Sequence, residues 1–142
     1  WSYKYARRQW NLVDNKKLCY HYLGDFDKAM LKTITSEKNF NKTPVVEIWH
    51  NDGDQVLAYM RGDLLFVFNF SPTRSFTDYG FLVPTGAYSV VLDTDNKAFG
   101  GNGLNDDELT HLTTYDPLYV NDRKEWLKLY LPARTALVLK KN

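Results

Sequence analysis

The run Leu64–Phe70, reading LLFVFNF, constrains the fold more than any other stretch of the chain. Its apolar residues continue without a polar interruption until Asn69, and Ser71-Pro72 follows at once. Such a run is too short for a buried helix, and Pro cannot continue a central ladder, so it reads as a strand apolar on both faces and closed by a turn. A strand of that kind demands partners in its sheet and cover on both sides. The core is therefore β.

Shorter period-two segments surround it. Val45–His50 and Gln55–Arg61 flank Asn51-Asp52-Gly53-Asp54, whose Asp-Gly pair is a strong hairpin signal. Arg61-Gly62-Asp63, which also matches an adhesion tripeptide, reads as the next turn. Further strands are expected at Tyr79–Val83, Tyr88–Leu92, Leu127–Leu131 and Ala136–Lys140. Turn signals at intervals near ten residues favour an antiparallel sandwich. The acidic stretch 93–122 reads as a long surface excursion, with one edge strand near Leu112–Tyr115.

Before Pro44 the period is helical. Tyr3, Ala6, Trp10 and Val13 fall three, four and three apart, on one helix face. Asp14-Asn15 offers a cap for a second helix carrying Leu18, Cys19, Tyr22 and Leu23. Gly24 is expected to interrupt it, with Asp25 capping a third stripe of Phe26, Ala29, Met30 and Ile34. The expected fold class is mainly β: an antiparallel sandwich over residues 41–142, preceded by two or three helices over residues 1–40. These helices bring more apolar surface than one sandwich edge can cover. Either they belong to a larger body upstream, or they cover one sheet of an ordinary α+β domain. The residues alone leave both open.

A chain of 142 residues is long enough for one domain with an appendage, and folding at this size buries about 70% of the extended surface. The net charge of +1 gives no field to gather nucleic acid or an anionic membrane. Residues 1–40 hold eight Lys/Arg against four Asp/Glu and residues 41–142 hold ten against thirteen, a shift that marks a boundary near residue 40. Cys19 is the only cysteine, which excludes an internal disulfide and favours a reducing, cytoplasmic setting. No apolar stretch is long enough to span a bilayer as a helix, no leader opens the chain, and the first residue, Trp rather than Met, suggests a cut-out piece. The triplets Asn41-Lys42-Thr43 and Asn69-Phe70-Ser71 read as chance matches to a glycosylation signal.

No catalytic constellation emerges. A glycosidase needs two carboxylates at controlled separation. Asp52/Asp54 are explained by their turn, Asp25/Asp27 by a helix start, and Asp106-Asp107-Glu108 by a solvated loop. Asp93-Thr94-Asp95-Asn96 opens like a calcium loop but has Ala98 where glycine is required and Leu104 where glutamate is required. His21, His50 and His111 stand apart, so no metal or cofactor is expected. Gly100-Gly101-Asn102-Gly103 follows no strand–helix phosphate pattern. Aromatic residues make up 15% of the chain, more than a plain core requires. Trp49, Tyr59, Tyr79, Tyr88, Tyr115, Tyr119 and Trp126 are each expected in the core, with sugar stacking as the alternative.

Several of these segments, taken together and in order, carry a resemblance. Trp1-Ser2-Tyr3 with Tyr5–Trp10, Leu23–Met30, Arg61–Phe70, Ser71–Tyr79, Val91–Asp95, Phe99-Gly100-Gly101 and Leu131–Arg134 are similar to the C-terminal end of 1,4-α-glucan (glycogen) branching enzymes. The resemblance extends over essentially the whole chain. It implies a parent of the α-amylase superfamily, glycoside hydrolase family 13, with a (β/α)8 catalytic barrel before a C-terminal β-sandwich. Such an enzyme cuts an α-1,4-glucan and passes it through a covalent intermediate to a 6-hydroxyl, with retention. The family's catalytic carboxylates would lie upstream of Trp1, so no catalytic residue maps here. Residues 1–40 would be the last barrel helices, near whose loop layer Trp1, Ser2 and Tyr3 are the candidates for glucan contact. The implied partners are the upstream barrel and α-glucan, with self-association of the isolated piece through residues 1–40. A histidine that often follows the family's paired glycines is Asn102 here. Two alternatives to a non-catalytic branching-enzyme piece are a glucan-binding module and a purely structural module.

Overall fold

The computed structural model describes residue 3, residues 6–116 and residues 124–142. Eight strands dominate: β1 Val45–Asn51, β2 Val56–Arg61, β3 Leu64–Asn69, β4 Phe76–Phe81, β5 Ala87–Asp93, β6 Thr110–Tyr115, β7 Glu125–Leu131 and β8 Thr135–Lys141. All ladders are antiparallel, in the order β1-β2-β3-β8-β5-β6-β7-β4. The expected mainly β, antiparallel class is what the chain adopts.

The sheet folds over itself at β6. Thr110–Leu112 pair with β5, whereas Thr113–Tyr115 pair with β7. One strand thus passes from the first layer to the second. The expectation of an edge strand near Leu112–Tyr115 is corrected: β6 lies between two partners. Its sequence, THLTTY, is polar enough to resemble an edge because its outer side chains stay in water. The true edges are β1 and β4.

Between the layers sits the core. Val56 and Ala58 of β2, Leu65 and Val67 of β3, and Leu137 and Leu139 of β8 meet Phe81, Leu127, Leu129 and Leu131 from the opposite layer. The other side of β3 is covered as well: Leu64, with Leu92 and Val138, forms a second cluster against Phe26, Ala29, Met30 and Phe40. That is why Leu64–Phe68 is apolar throughout rather than alternating.

The cover comes from helix α2, Tyr20–Ser36, after a single-turn α1, Asn11–Asp14. Two helical expectations are corrected. Among the described residues, the spacing of Tyr3, Ala6, Trp10 and Val13 yields separate short turns rather than one helix: α1, and a turn closed by the Ala6 N–H on the Tyr3 carbonyl. Gly24 does not interrupt α2; it lies within the helix at ordinary contact distance (3.8 Å) from Val13. Asp25 accordingly sits inside the helix rather than capping it. Tyr20, Leu23 and Leu31 of helix α2 are exposed. No residue of α2 is fully buried.

Candidate functional site

The two edge strands meet through side chains. The Trp49 indole N–H, on β1, donates to the Tyr79 hydroxyl, on β4, at 3.1 Å. Tyr79 in turn donates to Asp54 Oδ2 at 3.0 Å. Arg74 donates to the other Asp54 oxygen at 3.0 Å and to the Gly53 carbonyl at 3.1 Å. Its guanidinium lies 4.9 Å over the Phe76 ring. Burial, more than these contacts, pushes the Tyr79 phenol above its ordinary value, so it is a neutral donor.

Local structure explains the placement. The β1–β2 register shifts between Glu47 and Trp49, and the bulge there places Trp49 opposite Ala58, whose side chain is fully buried between the layers. Trp49 therefore lies on the inner face of β1 at the open edge of the sandwich, 45% exposed, where its indole reaches Tyr79 of the other layer. Asn51 Oδ1 accepts the Asp54 N–H, which fixes the hairpin turn and presents the Asp54 carboxylate to β4. The expectation that turn chemistry accounts fully for Asp54 is corrected: its carboxylate holds two distant partners. Nothing in linear spacing signalled this, because Arg74 and Tyr79 lie 20 and 25 residues away.

The remaining singled-out residues disperse. Trp1 and Ser2 lie outside the described residues, as does Tyr119, and Tyr3 is exposed. Of the aromatics expected in the core, Tyr88 is fully buried, while Tyr115 joins Trp49 in being exposed, a correction for both. Tyr59, Tyr79 and Trp126 are half-buried. Tyr59 stacks between Phe66 and Phe68, at 4.8 and 5.9 Å, so its ring faces are already occupied. His50 pairs with Glu47 at 2.7 Å, and burial holds the His111 imidazole below its usual range. Among the described residues, no three His, Cys, Asp or Glu side chains are grouped as a metal-ligand set.

Asp93 and Asp95 turn out to organise a loop. Asp95 Oδ1 accepts the Asn102 N–H and its Oδ2 accepts the Leu104 N–H. Asp93 Oδ1 accepts the Asp95 N–H. Burial raises the Asp93 carboxyl to about 6, aided by the nearby Asp107 carboxylate. A Cβ on Gly101 would lie 2.1 Å from the Asp95 carbonyl oxygen, and one on Gly100 (φ +80°) would meet the Tyr22 ring at 2.8 Å. The paired glycines are thus required by close approach, of the loop to itself and to helix α2. Phe99 packs edge-on against Phe26, at 5.4 Å.

Between α2 and the outer sheet face an apolar groove of about 370 Å3 is left unfilled, lined by Met30, Ile34, Tyr59, Phe66 and Phe68, with Arg61 among its lining.

Residues 48–142 match the family described as "Alpha amylase, C-terminal all-beta domain". The chain belongs to that family. It is also similar to proteins named 1,4-alpha-glucan-branching enzyme: 43% identical to that of Eremothecium gossypii over 99% of the chain, 46% to that of Emericella nidulans over 97%, and 40% to that of Saccharomyces cerevisiae over 97%. It spans only about a fifth of the length of each, and aligns with their C-terminal portion. Within this alpha-amylase C-terminal domain, the chemistry described above is that of contact and support. The two fully buried aspartates of the described residues, Asp93 and Asp95, each accept backbone N–H groups, and the neighbouring Asp107 accepts the Asn96 amide.

Proposed function

We propose that this chain is the C-terminal region of a 1,4-α-glucan branching enzyme, serving its catalytic barrel without performing chemistry itself. Residues 1–40 are then the closing helices of the barrel and residues 41–142 the appended sandwich. The parent transfers α-1,4-glucan segments to 6-hydroxyls by the retaining two-carboxylate scheme of glycoside hydrolase family 13, in cytoplasmic glycogen synthesis. The observation that carries this reading is end-to-end similarity to the C-terminal fifth of enzymes so named. Helix α2 fits it physically. The helix packs on the sheet through Phe26, Ala29 and Met30 while its Tyr20, Leu23 and Leu31 stay exposed to water. Exposed apolar area of this kind marks a docking surface, and the upstream barrel is its occupant.

The test is an iodine-absorbance branching assay on amylose with this chain alone. The reading expects no change in the iodine spectrum; measurable turnover refutes it.

A further inference from the structure

We propose that Trp49, with Asp54 and Arg74, is a surface subsite for one glucosyl unit of an α-1,4-glucan. The choice of sugar rests on the branching-enzyme reading; the site itself rests on geometry. A pyranose has C–H faces and a rim of hydroxyls. It is held by a flat aromatic face beside planar hydrogen-bonding groups. The gap between β1 and β4 offers that combination.

Trp49 is 45% exposed, and its indole is anchored at the nitrogen by Tyr79. The ring is therefore held in place before any ligand arrives, which lowers the entropic cost of stacking. Asp54 and Arg74 keep 26% and 56% of their side chains accessible while bonded to each other. Two of the five N–H donors of Arg74 go to Gly53 and Asp54, and the Phe76 ring supports the guanidinium from below. Closing the two edges does not require an exposed indole, since Tyr79 and Asp54 already bridge them. The bulge sets Trp49 opposite Ala58 at that open edge, where the residue closes on Tyr79 and still keeps 45% of its surface accessible.

Trp10 is 66% exposed with Arg8 5.8 Å over its ring, but among the described residues no hydrogen bond anchors its indole nitrogen. Phe70 ends a parallel ring stack with Phe68, Tyr59 and Phe66, but no charged pair is bonded around it. Tyr115 is exposed without an anchoring bond to its hydroxyl among the described residues.

The test is a titration of the chain with maltoheptaose and, in parallel, cellohexaose, followed by the indole N–H resonances of its four Trp residues. The Trp49 resonance is assigned by its disappearance in Trp49→Phe. Saturable binding to maltoheptaose with a shift at Trp49 is expected. Trp49→Ala should weaken it about tenfold and Trp49→Phe much less, because a ring face remains. Arg74→Gln should also weaken it, whereas Leu23→Glu, on the helix, should not. Far-ultraviolet circular dichroism confirms that each variant is folded. Response to neither sugar, or wild-type affinity in folded Trp49→Ala, overturns the site. An equal response to cellohexaose overturns the α-glucan assignment alone, and the iodine assay then judges the branching-enzyme reading separately.

Discussion

The ammonium of Lys140, in the final strand, reaches the carboxylate of Glu37, just past the end of α2, at 2.5 Å and across 103 residues of chain. The pair ties the helical segment to the sandwich at its rim. Its Lys side chain is 43% exposed, so Lys140→Ala should cost less than about 1 kcal/mol. The apolar contacts beneath it matter more. Phe26→Ala removes the packing on Leu64, Leu92 and Val138 and the edge contact with Phe99, and should cost about 2 kcal/mol. Amide hydrogen exchange would report this as faster exchange in α2 with protection retained in β2, β3 and β8. Equal loss of protection in all four elements would contradict a helix docked as a separate unit.

Asn69 predicts a larger effect. Its amide nitrogen donates to the carbonyls of Arg74, Leu131 and Pro132, and its Oδ1 accepts the Ser71 N–H. The side chain is 2% exposed and joins the end of β3 to the end of β7. Asn69→Ala leaves buried carbonyls without their donor, which should destabilise the domain by about 3 kcal/mol in urea unfolding. The same burial closes the amide to glycosylation in the folded chain.

Stability should also respond to pH through Asp93. Its folded carboxyl is raised from 3.8 to about 6, so the folded state binds the proton more tightly than the unfolded state. The stabilisation is fully present below about pH 4 and is lost as pH rises through about 6. Asp93→Asn keeps an oxygen for the Asp95 N–H but cannot ionise. Relative to the wild type, its stability should improve by about 2 kcal/mol between pH 4 and pH 7. A constant difference across that range would contradict the assignment.

Much of the sheet was legible because its signals are local. The apolar run at Leu64–Phe68, the Asp-Gly turn at Asp52-Gly53 and the alternation in Leu127–Leu131 each fix a strand from adjacent residues. The failures are tertiary. Thr110–Tyr115 is polar like an edge strand, yet it turns the corner between layers. Gly24 carries a breaker signal, but a helix packed on a sheet retains its hydrogen bonds through one glycine. Trp49 faces inward through a one-residue register shift yet stays exposed because β1 is an open edge, and Asp54 gains its role from partners brought close only by folding. Trp1 and Ser2 lie outside the described residues, so their proposed glucan contact stands on the resemblance.

The central claim is that the helical segment is built to meet a larger body on its outward side. Light scattering of this chain over a range of concentrations tests it most directly, compared with the double variant Leu23→Glu, Leu31→Glu. The account predicts concentration-dependent self-association of the wild type, through the exposed apolar residues of α2, and a monomeric double variant of unchanged fold. A wild-type chain that stays monomeric at every concentration would contradict it.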